Sequence, residues 1–158
     1  MAGFLRAFNA TVNDQHYLAP ELANMGQDVF NPPSVFNYYK PGYAVPGTPL
    51  AGGEFQIYTP PAAITRANLV ANIFNAYQNP VQTYGPGTTI DLTAYVSLAG
   101  SPALLADAID AALFRGKMPS SLKQTITTAI QSDNGGAVRQ TQTGIYLALL
   151  SGYYNVWN

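Results

Sequence analysis

Apolar positions recur at helical spacing through most of the second half of the chain. Over 102–114, Leu105, Ile109, Ala112 and Leu113 stand at i, i+4, i+7 and i+8, with Asp107 and Asp110 on the opposite side. Ser101-Pro102 provides a cap followed by proline at the first helical position, and Gly116 closes the segment. A second helix is predicted from about Pro119 to Gln131, with Leu122, Ile126, Ala129 and Ile130 as its face. The turn Asp133-Asn134-Gly135-Gly136 follows. A last helix then runs from about Ala137 to Gly152 and is apolar all round at 145–150, as a buried central helix would be.

The first half is less regular. Phe4, Leu5 and Phe8 make one face of a short helix over 3–10, with Val12 able to dock beside them. Pro20-Glu21 reads as a helix start, continued by Leu22, Met25 and Val29 and weakened by Gly26 within the run. Pro32-Pro33 blocks passage of a helix, and Pro33 or Ser34 can open one or two turns over Val35–Tyr39. Residues 41–62 are loop, with Phe55, Ile57 and Tyr58 as a short extended piece. The first long helix is expected at 62–78 on Ile64, Leu69, Ile73, Phe74 and Tyr77, stopped by Asn79-Pro80. Residues 80–90 read as loop, and Asp91 as the cap of a helix over 92–99. The pattern thus predicts a mainly α protein: a small helical bundle with long Pro/Gly/Tyr-rich loops and little or no sheet. At 158 residues it is one domain, with 1–61 as short helices and loop cover and 62–158 as the bundle.

Composition narrows the possible partners. Charged residues are 9% of the chain, far below the ~25% of an average domain, and the net charge is −1. The seven cations are scattered, which argues against nucleic acid as a partner, since that binding needs clustered cations to release counterions. Without cysteine there is no disulfide or thiolate site. No run reaches the ~20 apolar residues of a membrane span, and residues 1–10 do not form a signal peptide. Few charges among many neutral polar groups suit an extracellular or periplasmic protein.

The stretch Met25-Gly26-Gln27, followed by Phe30-Asn31-Pro32-Pro33-Ser34-Val35-Phe36-Asn37-Tyr38-Tyr39, resembles the C-terminal portion of a bacterial family named domain of unknown function 1800. Leu113-Phe114-Arg115-Gly116-Lys117-Met118 is similar to that family's leucine-rich helix and basic-apolar turn, and 139–154 to its closing helix. The similarity spans about residues 20–158. Two features depart from it: Gly152 in place of the usual proline, and the end Asn155-Val156-Trp157-Asn158. The resemblance implies a largely helical fold, a longer family architecture of which this chain is the C-terminal portion, export, and no accepted enzymatic activity. It leaves open a need for an upstream segment or for self-association.

Candidate chemistry is sparse. His16 is the only histidine, and with Asp14, Glu21 and Asp28 it could offer ligands to a divalent metal. The plainer reading is a solvated turn histidine and no cofactor. Ser34 and Asp14 complete a possible Ser–His–Asp set with His16, but no nucleophile-elbow motif is present and Ser34 fits a cap. The surplus is aromatic: eleven Tyr, seven Phe and one Trp. Tyr38, Tyr39, Tyr43 and Tyr58 sit in the loops, where rings with hydroxyl handles suit binding, or else pin the loops to the core. The expected function is an interaction or scaffold module of an exported bacterial protein, binding a protein partner or extracellular polymer through these tyrosines. The alternative is a small hydrolase of an ester or lactone, metal-dependent or not, using His16 and nearby carboxylates.

Overall fold

The computed structural model describes residues 2–12, 15–74, 81–84 and 88–155. The protein is mainly α. It divides into two compact units, Asp14–Val70 and a second made of Met1–Asn13 with Ala71–Asn158.

In the larger unit, α5 (Pro102–Phe114), α6 (Ser120–Ser132) and α7 (Ala137–Leu150) pack on one another, with α7 also against α4 (Thr93–Val96) and α8 (Gly152–Asn155). All three long helices lie where the apolar period places them. Leu105, Ile109, Ile126, Ile130, Ile145 and Ala148 are fully buried between them. Gly144 sits where α7 crosses its neighbours. A Cβ there would come within 2.9 Å of the terminal methyls of Ile109 and Ile130, so the close approach needs a residue without one. Helix α1 (Ala2–Ala7) adds Phe4 to this core, Phe8 follows it, and both rings meet others edge to face: Phe4 to Phe74 at 6.2 Å and Phe8 to Tyr95 at 5.0 Å.

The region 80–90 is not all loop. Val81–Tyr84 (β1) and Thr88–Asp91 (β2) pair antiparallel, Val81 opposite Asp91 and Tyr84 opposite Thr88. Thr11 extends the ladder by exchanging hydrogen bonds with Thr89, at 3.0 and 2.9 Å. Five of these eight positions are β-branched, which suits a pleated surface more than a loop. Leu92, not Asp91, holds the cap position of α4; Asp91 stands one residue earlier and accepts Thr93 N–H at 2.8 Å, and α4 ends at Val96. Val12, expected on the core, is exposed.

The α5–α6 corner corrects a second expectation. Asp107 is exposed, yet Asp110 is buried, its side chain only 4% accessible. Its carboxylate accepts the Met118 N–H at 2.9 Å and pairs with Lys123 Nζ at 2.5 Å. Its carbonyl accepts the N–H groups of Arg115 and Gly116, which turn the chain in the left-handed region at φ 57° and 77°. The carboxylates of Asp110, then Asp107, hold the Lys123 ammonium above its ordinary 10.5.

In the smaller unit, α2 runs from Gln15 to Asn24, so Pro20 lies inside it instead of opening it. Gly26 does not weaken the helix; it ends it. At φ 77° it sets a Schellman close, with Gln27 N–H on Leu22 carbonyl and Gly26 N–H on Ala23 carbonyl. Residues 35–39 form turns, not a helix, and 53–56 a 3-10 turn, not an extended piece. Residues 43–52 make a small hairpin-like loop closed by the Ala44–Ala51 bridge. Helix α3 (Pro60–Phe74) starts at the proline pair; its expected end at Asn79-Pro80 lies outside the described residues. In its part within this unit Ile64 is exposed while Leu69 and Val70 are buried; its last residues, with buried Ile73 and Phe74, belong to the larger unit.

Replacing Asp110 with Ala removes the acceptor of a buried N–H and leaves Lys123 without its inner partner. The expected loss is about 2–4 kcal/mol in urea unfolding followed by circular dichroism. Asp107→Ala, which touches the same lysine from solvent, should stay within about 0.5 kcal/mol. Equal losses in the two variants would contradict the assignment of Asp110 as the keystone of this corner.

Candidate functional site

The smaller unit is unusual in what it leaves in water. Among the described residues it buries Leu18, Met25, Leu69 and Val70, and it exposes Val29, Phe30, Val35, Phe36, Leu50, Phe55, Tyr58 and Ile64. Exposure of single apolar side chains is ordinary; two adjacent pairs on consecutive turns are not.

The first pair sits on the turn 28–31. Asn31 N–H closes it on the Asp28 carbonyl at 3.1 Å, and Asn31 Nδ2 donates to the Asp28 carboxylate at 2.8 Å. Val29 and Phe30 occupy its two central positions. The second pair sits on the turn 34–37. Asn37 N–H closes it on the Ser34 carbonyl at 3.0 Å, while Ser34 Oγ donates to the Asn37 carbonyl and accepts the Phe36 N–H. Val35 and Phe36 are at its tip. Tyr38 ties the turns together, its hydroxyl donating to the Asp28 carbonyl. Pro32-Pro33, between the turns, cannot donate to either and holds the chain extended.

Phe30 carries two costs at once. It is 99% exposed, and its backbone is left-handed at φ 61°, a region that disfavours a bulky L-residue by about 1–2 kcal/mol. Neither cost is repaid by burial within this unit. Strain and apolar exposure at one position mark a candidate contact residue.

The four tyrosines expected at a binding surface differ in exposure and in what they touch. Tyr38, Tyr39 and Tyr43 are half-buried. Tyr38 holds the turns, and the Tyr39 ring lies so close over Gly53 that a Cβ there would overlap it. The Tyr43 main-chain carbonyl accepts Gly52 N–H at the neck of the 43–52 loop. Tyr58 is exposed, but its hydroxyl accepts from Arg66 Nη2 at 2.8 Å and the guanidinium lies 4.9 Å from its ring centre. The Tyr38 side chain thus braces the turns from which the valine and phenylalanine pairs project, while Tyr39 packs on Gly53 and Tyr58 on Arg66. The sequence signal for the pairs was the repeated turn–Val-Phe pattern, Asp28-Val29-Phe30-Asn31 and Ser34-Val35-Phe36-Asn37: a polar residue at each end and two apolar ones between.

The candidate catalytic and metal residues do not assemble into a described site. Asp14 lies outside the described residues. His16 and Glu21 fall on α2, and Asp28 binds Asn31. Ser34 is a turn residue, not a helix cap, with its hydroxyl used within its own turn. Among the described residues no three of His, Asp and Glu gather as metal ligands.

The larger unit holds an open cleft of about 570 Å³ between α4 and α5, walled by alanines with Asn9, Asp91 and Tyr95 at its edge. The Thr93 hydroxyl, then its N–H, keeps Asp91 below the ordinary carboxylate range, and burial pushes the Tyr95 phenol up. One ionised carboxylate, already hydrogen-bonded to Thr93, gives this cleft no acid–base pair.

Fold and surface together define a mainly α-helical protein with exposed apolar turns and no assembled catalytic constellation among its described residues. The chain belongs to the family described as protein of unknown function DUF1800, whose model matches residues 1–156. No curated protein and no solved structure matches it. No helix among the described residues is long and apolar enough to cross a membrane.

One titration is expected to register in stability. Asp133 lies below its ordinary 3.8, chiefly because the Thr143 hydroxyl donates to it at 2.6 Å, helped by Gly135 N–H and Arg139. A depressed carboxylate contributes stability above 3.8 that is lost as pH falls through the folded value. Asp133→Asn should therefore flatten the acid limb of the stability–pH curve, read by urea unfolding at stepped pH below 5. An unchanged acid limb would refute the role of Asp133.

Proposed function

We propose that this protein is an interaction module of an exported bacterial protein, and that its partner is another protein with an apolar receiving surface. The observation that carries the reading is the pair of braced turns presenting Val29-Phe30 and Val35-Phe36 to solvent. Large apolar side chains on rigid turns bind at small entropic cost, since the backbone is already ordered. Buried aromatic anchors of this kind dominate protein interfaces.

The chemistry of the tips favours protein over polymer or lipid. Valine and phenylalanine carry no hydroxyl or amide to meet the hydrogen bonds of a glycan. An anionic bilayer surface is met by clustered cations, and in the stretch 25–43 only Lys40 is one. The tyrosines enter the reading as the frame of the surface. A hydrolase built on His16 finds no supporting observation among the described residues.

Placing p-benzoylphenylalanine at position 30 in the producing cell tests the reading. Irradiation should give one discrete protein adduct, lost when Val35→Ser and Phe36→Ser are added. The same probe at Leu104, exposed on α5, should not give it. Adducts only with lipid or glycan, or an adduct that survives the added substitutions, would overturn the proposal.

A further inference from the structure

The turn between α6 and α7 contains the chain's only Asn-Gly pair, Asn134-Gly135. Both residues are exposed. Asn-Gly is the dipeptide most open to spontaneous deamidation, because glycine puts no side chain in the way of its own nitrogen. That nitrogen, once it loses its proton to solvent base, attacks Asn134 Cγ. The Cγ–Nδ2 bond breaks, ammonia leaves and a succinimide closes. Water then adds to either ring carbonyl, giving aspartate or isoaspartate. The net change is one water consumed and one ammonia released.

The attacking nitrogen is not free here. Gly135 N–H donates to Asp133 Oδ1 at 2.8 Å. The same carboxylate is fixed from its other side by the Thr143 hydroxyl on Oδ2 at 2.6 Å, with Arg139 Nε 3.4 Å from Oδ1. Gln140 Nε2 holds the Asp133 carbonyl at 2.9 Å. A Cβ on Gly135 would fall 2.1 Å from Arg139 Cδ, so Arg139 covers this glycine closely. The Asp133 carboxylate thus opposes attack in two ways. It binds the proton that must leave, and its negative charge disfavours an anionic nitrogen beside it.

We infer that Asn134 is a latent deamidation site and that Asp133 is the residue that holds it shut. Opening the clamp exposes the nitrogen. Isoaspartate at 134 would lengthen the main chain by one carbon between α6 and α7 and set a second negative charge beside Asp133. The turn would then lose the geometry that seats α7, whose Thr141, Gly144 and Ile145 are core.

The experiment follows Asn134 by peptide mapping that separates aspartate from isoaspartate, during incubation of the whole chain in mildly alkaline buffer. The native protein should react roughly ten- to a hundredfold more slowly at Asn134 than the chain in denaturant, the ratio expected when a charge-assisted hydrogen bond must first break. Asp133→Ala, checked for native helical circular dichroism, should recover most of that rate. Thr143→Val, which loosens the carboxylate without removing it, should give an intermediate rate and decides the matter if Asp133→Ala does not fold. Equal rates in native and denatured wild type would overturn the inference. So would a native Asp133→Ala, or a native Thr143→Val, as slow as wild type.

Discussion

The larger unit depends on a single buried carboxylate. Asp110 ends α5, turns the chain through Arg115 and Gly116, and receives Met118 and Lys123 as α6 approaches. Burying an ion costs several kcal/mol unless its oxygens are satisfied, and here one accepts a backbone N–H and the other an ammonium. A non-glycine residue in the left-handed region, as Arg115 is, costs about 1–2 kcal/mol more. Those costs specify one way for α5 and α6 to meet. With that corner set, α7 lies against both through the cleft that Gly144 leaves for Ile109 and Ile130.

The smaller unit is organised on the opposite principle. Its polar groups are spent on turns: Asp28 with Asn31 and Tyr38, Ser34 with Phe36 and Asn37, Thr48 with Val45 and Leu50. Satisfying main-chain groups locally lets a stretch with no regular helix hold a shape. The apolar side chains between those turns are then spare. In one unit apolar residues make the core; in the other the hydrogen-bonded loops hold several of them out in water.

The sequence made the bundle legible because period, cap and stop agree over 102–150. It hid Asp110, since a charged residue in an amphipathic pattern is assigned to water by default. The adjacent stripe Leu105, Ala106, Ile109 and Asp110 is the signal that position 110 faces inward. The strand pair was masked by the Gly85-Pro86-Gly87 punctuation, although Thr88-Thr89-Ile90 has strand chemistry. Around 25–43 the aromatic richness drew attention to the tyrosines, while the structure leaves the valine and phenylalanine pairs most exposed. The Tyr38 hydroxyl meets the Asp28 carbonyl and the Tyr58 hydroxyl meets Arg66, whereas Val29, Phe30, Val35 and Phe36 have nothing polar to anchor. Whether an apolar residue sits at a turn tip or on a short helix depends on a few φ values, such as those of Phe30 and Asn37, that composition does not encode.

The turn-tip phenylalanines, both exposed, stand outside what holds the protein folded. Urea unfolding of the double variant Phe30→Ser, Phe36→Ser tests this directly. Its midpoint and slope should stay within error of wild type, a change of less than about 0.5 kcal/mol, as for surface positions. A loss of about 3 kcal/mol or more, the size expected for removing buried aromatic rings, would contradict it.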